Sequence, residues 1–226
     1  MLIVLEGLDG AGKSTQLKKI SSYLQQKGAN VRYAHFPMYE THSGDLVARF
    51  LRGDFGKIEG VHPMLVALLF AENRRDAAPL LREWLDAGDV VILDRYVYSN
   101  IAFQCAKLNA EKEAQELREW ILDTEFGFYA IPKPDINIFL DVPLGFVSER
   151  LKGSRKGDDR EYLKGKADIH EESMEFQRRV RECYLEQCSA DNNFIRITCS
   201  DEAGEMLTEN EIFEKLIDHL GTEANR

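Results

Sequence analysis

The sequence predicts an α/β fold in three layers: a five-stranded parallel sheet with helices on both faces. Three observations carry that expectation. Short, wholly apolar runs alternate with segments of helical period along the chain, and strands separated by helices pair in parallel through right-handed crossovers. The runs lack polar alternation, as strands buried on both faces do. The first run leads into a glycine-rich turn and then a helix-period segment, the arrangement that presents a helix N-terminus to phosphate.

The elements follow in order. Leu2–Leu5 is the first strand. A helix over Ser14–Lys27 stops at Gly28, and Asn30–His35 is the second strand. Gly44–Leu51 is expected to be helical. His62 and Pro63 open a longer helix, with Pro in the first turn, that reaches Ala87 and ends before Gly88. Val90–Leu93 is the third strand, and two helices follow near Ser99–Leu108 and Ala110–Thr124. Pro132-Lys133-Pro134 marks a turn, and Ile136–Leu140 and Phe194–Thr198 are the fourth and fifth strands. The last helix starts at Thr208, where Thr208-Glu209-Asn210-Glu211 has capping-box spacing. No Pro/Gly/Ser linker divides the chain, so residues 1–226 are expected to form a single domain.

Composition narrows the function. A chain of 226 residues, 44% hydrophobic and 30% charged, buries a full core without staples and is neither disordered nor membrane-embedded. Lys and Arg total 29 against 39 Asp and Glu, a net charge of −10. That excess argues against nucleic acid and anionic membranes as partners, yet leaves room for a small anionic ligand at a locally basic site. Cys105, Cys183, Cys188 and Cys199 form no C-x-x-C pair and read as small hydrophobes in a reducing compartment. With no signal peptide and no apolar run of ~18 residues, the expected location is cytoplasmic. One stretch departs from the rest. From Glu149 to Asp168 seven basic residues outnumber five acidic ones, and no apolar period runs from Gly153 to Asp168. A basic loop between two helices, roughly residues 152–168, is what a lid over an anion looks like.

The chemistry is carried by Gly7-Leu8-Asp9-Gly10-Ala11-Gly12-Lys13-Ser14, which matches G-x-x-x-x-G-K-[ST] after a strand and before a helix. Glycines let backbone N–H groups converge on phosphate oxygens, and the following helix points its dipole at them. Lys13 is expected to reach the β- and γ-phosphates of ATP, and Ser14 to bind Mg²⁺. The fold is then that of the P-loop NTPases. Asp94, at the carboxyl end of the third strand, lies where α/β sheets bind ligands and is the second candidate metal ligand. Arg95 beside it is suited to an anion near the γ-phosphate. An arginine in that place suits an acceptor that is itself a phosphate. Such an acceptor needs no general base, so catalysis reduces to positioning and charge neutralisation. The five histidines form no catalytic constellation.

The chain resembles the thymidylate kinase family of nucleoside-monophosphate kinases. The resemblance runs from Leu2 to Cys199 and rests on Glu6 to Thr15, then Phe36-Pro37, then Leu69-Phe70-Ala71-Glu72-Asn73-Arg74, then Asp94 to Gln104. It implies transfer of the γ-phosphoryl group of Mg·ATP to dTMP. It also implies residue roles. Gly7, Asp9, Gly10, Ala11, Gly12, Lys13, Ser14 and Thr15 would line the ATP phosphates, and Arg150 would pack on adenine. Phe70 would stack on thymine, with Arg74, Gln104 and Ser99 at its edge and Phe36 and Pro37 nearby. Asp9 would meet the sugar 3′-hydroxyl and Arg95 the acceptor phosphate. Gly10 stands where some relatives carry a basic residue, and such proteins place the catalytic arginine in the lid, here Arg155 or Arg160. Many relatives also have an arginine after Phe-Pro. Here those positions are Met38 and Tyr39, so the Tyr39 hydroxyl is the candidate contact to the acceptor. Relatives are usually homodimers packed through helices. Three alternatives stay open: a deoxynucleoside kinase with Glu6 as its base, another nucleoside-monophosphate kinase, and a P-loop ATPase with no small acceptor.

Overall fold

Five strands, β1 (Leu2–Gly7), β2 (Val31–His35), β3 (Val90–Asp94), β4 (Ile136–Asp141) and β5 (Phe194–Thr198), form one parallel sheet in the order β2-β3-β1-β4-β5. The structure, a computed structural model, describes residues 1–57, 60–152 and 173–223. Every residue of β1 and β4 is buried, which is why their sequences are unbroken apolar runs until the last polar positions. β2 and β5 are the edges and expose part of each strand. The register sets Leu5 opposite Asp94 and His35 opposite Asp94, so the ends of β1, β2 and β3 meet at the carboxyl end of the sheet.

Helices α1 (Lys13–Gln26), α2 (His42–Leu51), α3 (Pro63–Asp86), α4 (Val97–Cys105), α5 (Glu111–Leu122), α6 (Leu144–Lys152), α7 (Met174–Ala190) and α8 (Glu209–Glu223) surround the sheet. Their ends are chemically marked. Thr41 accepts from the Gly44 N–H at 2.9 Å to start α2, and Ser173 accepts from the Phe176 N–H at 3.3 Å to start α7. The capping box before α8 is reciprocal: Glu211 Oε2 accepts from the Thr208 N–H at 2.8 Å and Thr208 Oγ1 from the Glu211 N–H at 3.3 Å. Each such cap contributes about 1 kcal/mol. In α7 the buried positions are Gln177, Val180, Tyr184 and Gln187, a helical stripe that is mostly polar and packs over α4 and the sheet rather than into an oily seam.

Several elements differ from the sequence expectation. β1 and β4 extend through Glu6-Gly7 and Asp141, because the hydrogen-bonded ladder outlasts the apolar run. α4 begins and ends earlier than expected, and Ala106 to Leu108 close into hydrogen-bonded turns. α5 runs on into a π-helical segment, Asp123–Phe128, whose wider turn brings Glu125 into the core. α6 supplies the helix expected before the basic segment, its Leu144, Val147, Leu151 spacing diluted by charged neighbours. The segment itself, from Gly153 to Asp168, lies outside the described residues. The four cysteines are free thiols, and burial pushes each up to about 12. Among the described residues no helix is long and apolar enough to cross a membrane.

The turn after β2 is fixed from two sides. The Phe36–Pro37 bond is cis. The fully buried Asn73 of α3 then accepts from the Met38 N–H at 2.8 Å and donates to the Met38 carbonyl at 2.9 Å. Gly44 of α2 lies against the same peptide: a Cβ there would stand 2.0 Å from the Met38 carbonyl oxygen and 2.8 Å from Tyr39 Cα. Backbone cannot yield as a side-chain tip can. Gly44→Ala is therefore expected to cost about 1–3 kcal/mol, lowering Tm by about 2–4 °C per kcal/mol. A calorimetric Tm within 1 °C of the parent (~0.3 kcal/mol on the same scale) would contradict this packing.

Candidate active site

The loop between β1 and α1 is shaped by glycine. Gly10 and Gly12 have φ of 77° and 82°, which L side chains seldom adopt. Gly7 allows close packing, since a Cβ would meet Ala11 Cβ at 3.3 Å and the Leu140 carbonyl at 3.4 Å. Gly12 is the N-cap of α1 and offers no side-chain acceptor. The Thr15 N–H donates to the Gly12 carbonyl at 3.2 Å, and N–H groups at such a helix start, which lack the usual intrahelical acceptor, are suited to a ligand. Ala11 is buried, Thr15 half-buried and Ser14 exposed on the first turn.

Lys13 folds back under the loop. Its Nζ donates to the carbonyls of Gly7 at 3.3 Å and Leu8 at 3.2 Å, and stands 4.0 Å from Asp94 Oδ1. Burial, reinforced by Arg95, pulls its pKa down to about 8 against the opposing carboxylates. Asp94 is 4% exposed. Burial opposes its ionisation, but Lys13, His35 and Arg95 together hold its pKa below the usual carboxylate value. His35 Nδ1 lies 3.5 Å from Asp94 Oδ2, whereas Asp94 Oδ1 is buried with no hydrogen-bond partner among the described residues. A buried carboxylate oxygen so placed, with the Ser14 hydroxyl, is the kind of hard oxygen donor that a magnesium ion accepts.

Arg95 turns the chain out of β3 with φ 68°, a left-handed conformation that is costly for a non-glycine residue. Its guanidinium lies beside the loop. Nη2 donates to Asp9 Oδ1 at 2.8 Å, Nη1 to Ser99 Oγ at 3.1 Å and to the Tyr184 hydroxyl at 3.5 Å. The guanidinium carbon is 5.0 Å from the Phe103 ring centroid. Asp9 also accepts from Gln177 Nε2 at 3.2 Å. Burial works against the cation, but Asp9, Tyr184, Asp94 and Glu6 raise its pKa further.

The remaining residues singled out from the sequence lie in the turn after β2, on α3 and α4, and on α6 and beyond. Phe36 and Pro37 are buried. Tyr39 and Phe70 are both half-buried against a small apolar cluster of Val47, Phe50, Leu51 and Val66. Phe70 meets Phe50 edge-on at 6.5 Å. Gln104 is 1% exposed, and its Oε1 accepts from Lys107 Nζ at 2.7 Å. Arg74 is 2% exposed and paired with the fully buried Glu125, Nη2 to Oε1 at 2.7 Å and Nε to Oε2, while Asn100 Nδ2 donates to the same Oε1 at 3.0 Å. Arg150 is exposed on α6 with its guanidinium 5.1 Å from the Phe146 ring. Arg155 and Arg160 lie outside the described residues.

Several residues here carried no role from the sequence: Tyr184 and Gln177 on α7, Asn73 and Glu125, and His35 beside Asp94. The signals available were the polar residues standing in the buried stripe of α7 and, for Asn73, its place in the Leu69–Arg74 motif. Glu6, a candidate base in the sequence, is 0% exposed, and both its oxygens accept hydrogen bonds.

A glycine-shaped phosphate loop on a parallel sheet, an acidic strand end and an adjacent arginine define a nucleotide-dependent phosphotransferase of the P-loop class. The sequence model of thymidylate kinases matches residues 5–210. The thymidylate kinase of Mycobacterium tuberculosis is 36% identical over 189 residues, covering 82% of this chain and 85% of that one. The Arabidopsis thaliana thymidylate kinase is 32% identical over 220 residues, covering 97% of this chain and 72% of that one. A solved thymidylate kinase from Candida albicans superposes with a TM-score of 0.74 at 28% identity, over 99% of this chain and 92% of that one. The chain belongs to the thymidylate kinase family.

Arg74 and Glu125 form a buried pair, so removing one charge strands the other. Glu125→Gln is expected to cost about 3–5 kcal/mol, read as a lower urea midpoint with an unchanged m-value. A loss below ~1 kcal/mol, the scale of an exposed pair, would mean that Arg74 finds another anion or water.

Proposed function

We propose that this chain transfers the γ-phosphoryl group of ATP to dTMP, giving dTDP and ADP on the route to dTTP. The observation that carries the reading is the Arg95 guanidinium, held beside the phosphate loop by Asp9 and Ser99. An arginine so fixed suits an acceptor that already bears a phosphate.

The loop amides and Lys13 receive the β- and γ-phosphates. In the free protein the Lys13 ammonium rests on two backbone carbonyls. Phosphate oxygens are stronger acceptors and favour its charged form. Ser14 and Asp94 are the residues that would hold Mg²⁺, which when bound neutralises charge on the phosphate chain. Arg150 flanks adenine. Arg95 neutralises the acceptor phosphate, and Tyr39 donates to it in place of the arginine that many relatives carry. Asp9 holds Arg95 and takes the sugar 3′-hydroxyl. Phe70 stacks on thymine, with Arg74, Gln104 and Ser99 along its edge and Phe36 and Pro37 nearby. Arg155 and Arg160 add charge to the transition state from the basic segment. No base is required, because the attacking oxygen is already an anion.

The burial of Glu6 supports this over phosphorylation of a nucleoside. Its oxygens are occupied by Tyr96, Ser99 and Tyr184, which leaves none to take a proton from a 5′-hydroxyl. Steady-state assays over a nucleotide panel test the reaction. Turnover is expected with dTMP well above that with dAMP, dGMP or dCMP, and none with thymidine. Comparable turnover with the other monophosphates and none with dTMP would sink the substrate assignment.

We assign the active form to a homodimer in the cytoplasm. Met64, Leu65 and Leu68 are exposed on one side of α3, an apolar surface that a helix–helix contact would cover, and free thiols suit a reducing compartment. Sedimentation equilibrium at micromolar concentration is expected to give the dimer mass, reduced to the monomer by Leu65→Glu. A monomer in the parent protein would refute it.

A further inference from the structure

Glu6 is a buried carboxylate that the reaction above does not use. It sits in central β1, one residue before the phosphate loop, yet every group it binds belongs to α4, its preceding turn, or α7. Oε1 accepts from the backbone N–H groups of Tyr96 at 2.9 Å and Ser99 at 3.1 Å. Oε2 accepts from the Ser99 hydroxyl and from the Tyr184 hydroxyl at 3.1 Å. Those two hydroxyls are also the ones that accept from Arg95 Nη1, and they lie 2.7 Å from one another. Each therefore stands between the Arg95 guanidinium and the Glu6 carboxylate, taking a hydrogen bond from Arg95, while their two protons serve Glu6 and the contact between the hydroxyls. Bonds in such a chain polarise and strengthen one another.

The backbone contacts matter as much. α4 begins at Tyr96 with no side-chain cap of its own, and Glu6 caps it from another element, an anion at the positive end of the helix. The residue just before that cap is Arg95 with φ 68°. A left-handed arginine persists only when its surroundings over-determine it. Here its N–H donates to the Leu5 carbonyl at 2.9 Å, and Glu6 fixes the next peptide. β1 thus holds the turn on both sides of the strained residue.

We propose that Glu6 is the positioning residue for Arg95: it caps α4, pins the left-handed turn, and through the Ser99 and Tyr184 hydroxyls holds the guanidinium facing Asp9 and the phosphate loop. The proposal rests on Arg95 as the contact to the acceptor phosphate.

A double-mutant cycle tests it. Glu6→Gln is expected to lower kcat/KM for dTMP about 10²-fold, the scale of a misplaced catalytic group, while KM for ATP stays within about twofold (~0.4 kcal/mol of binding). In an Arg95→Ala background the same substitution should cost less than about threefold, because residues acting as a unit are not additive. An equal loss in both backgrounds, or a lowered Tm with unchanged kinetics, would overturn the proposal. Tyr184→Phe, which removes one bridging hydroxyl and spares the cap, should show the same coupling with a smaller loss. It takes the place of Glu6→Gln if that variant does not fold. A readout without nucleotide separates this proposal from the reaction itself. The Arg95 guanidinium N–H resonances should be resolved in the parent and averaged by rotation in Glu6→Gln. Resonances that stay resolved and unshifted would refute the role of Glu6, even if dTMP proved not to be the substrate.

Discussion

The parallel pairing of β1 with β3 is the constraint on which the site depends. It sets Leu5 opposite Asp94, so the phosphate loop leaving β1 and the Asp-Arg pair leaving β3 emerge side by side. A slip of one residue would turn Asp94 to the other face of the sheet. It would also separate Glu6 from the turn at Arg95. The pairing is secured by strands whose side chains are buried on both faces, so sliding would expose apolar surface along the whole ladder. A mechanical requirement of the core thereby fixes the geometry of the polar end.

Charge is arranged against that frame in pairs. Lys13 faces Asp94, Arg95 faces Asp9, and Arg74 faces Glu125. Each cation is largely withdrawn from water and each has a carboxylate beside it. Ions buried this way are held for position more than for stability, since desolvation offsets most of their attraction. Groups already fixed and dry need little reorganisation when a phosphate charge arrives. The net charge of −10 describes the outer helices. The phosphate loop sits among a few cations that the total conceals.

How much of this could be read from the chain depended on distance along it. The phosphate loop, the strands and the Asp94-Arg95 pair are local patterns, and each was visible as a run or a spacing. The polar ends of β1 and β4 were not, because hydrogen bonding continues where apolarity stops. Glu6, Gln177 and Tyr184 were opaque for another reason. Their partners lie 93, 168 and 178 positions away, and a polar residue in a helical stripe names no partner by itself. Glu125 depends on a π-helical turn that no spacing along the chain announces. Arg74, placed by the family resemblance at a thymine edge, is paired with Glu125 in the structure, a partner that neither periodicity nor motif suggested.

The acceptor side of the site is assembled before ligands arrive, while the donor side waits for phosphate. A crystal structure with dTMP and a non-hydrolysable ATP analogue tests it most directly. Arg95 is expected to keep its bonds to Asp9 and Ser99 while reaching the dTMP phosphate, and Lys13 to leave the Gly7 and Leu8 carbonyls for the analogue's phosphates. An Arg95 swung away from both partners, or a Lys13 still bonded to those carbonyls beneath bound phosphates, would contradict it.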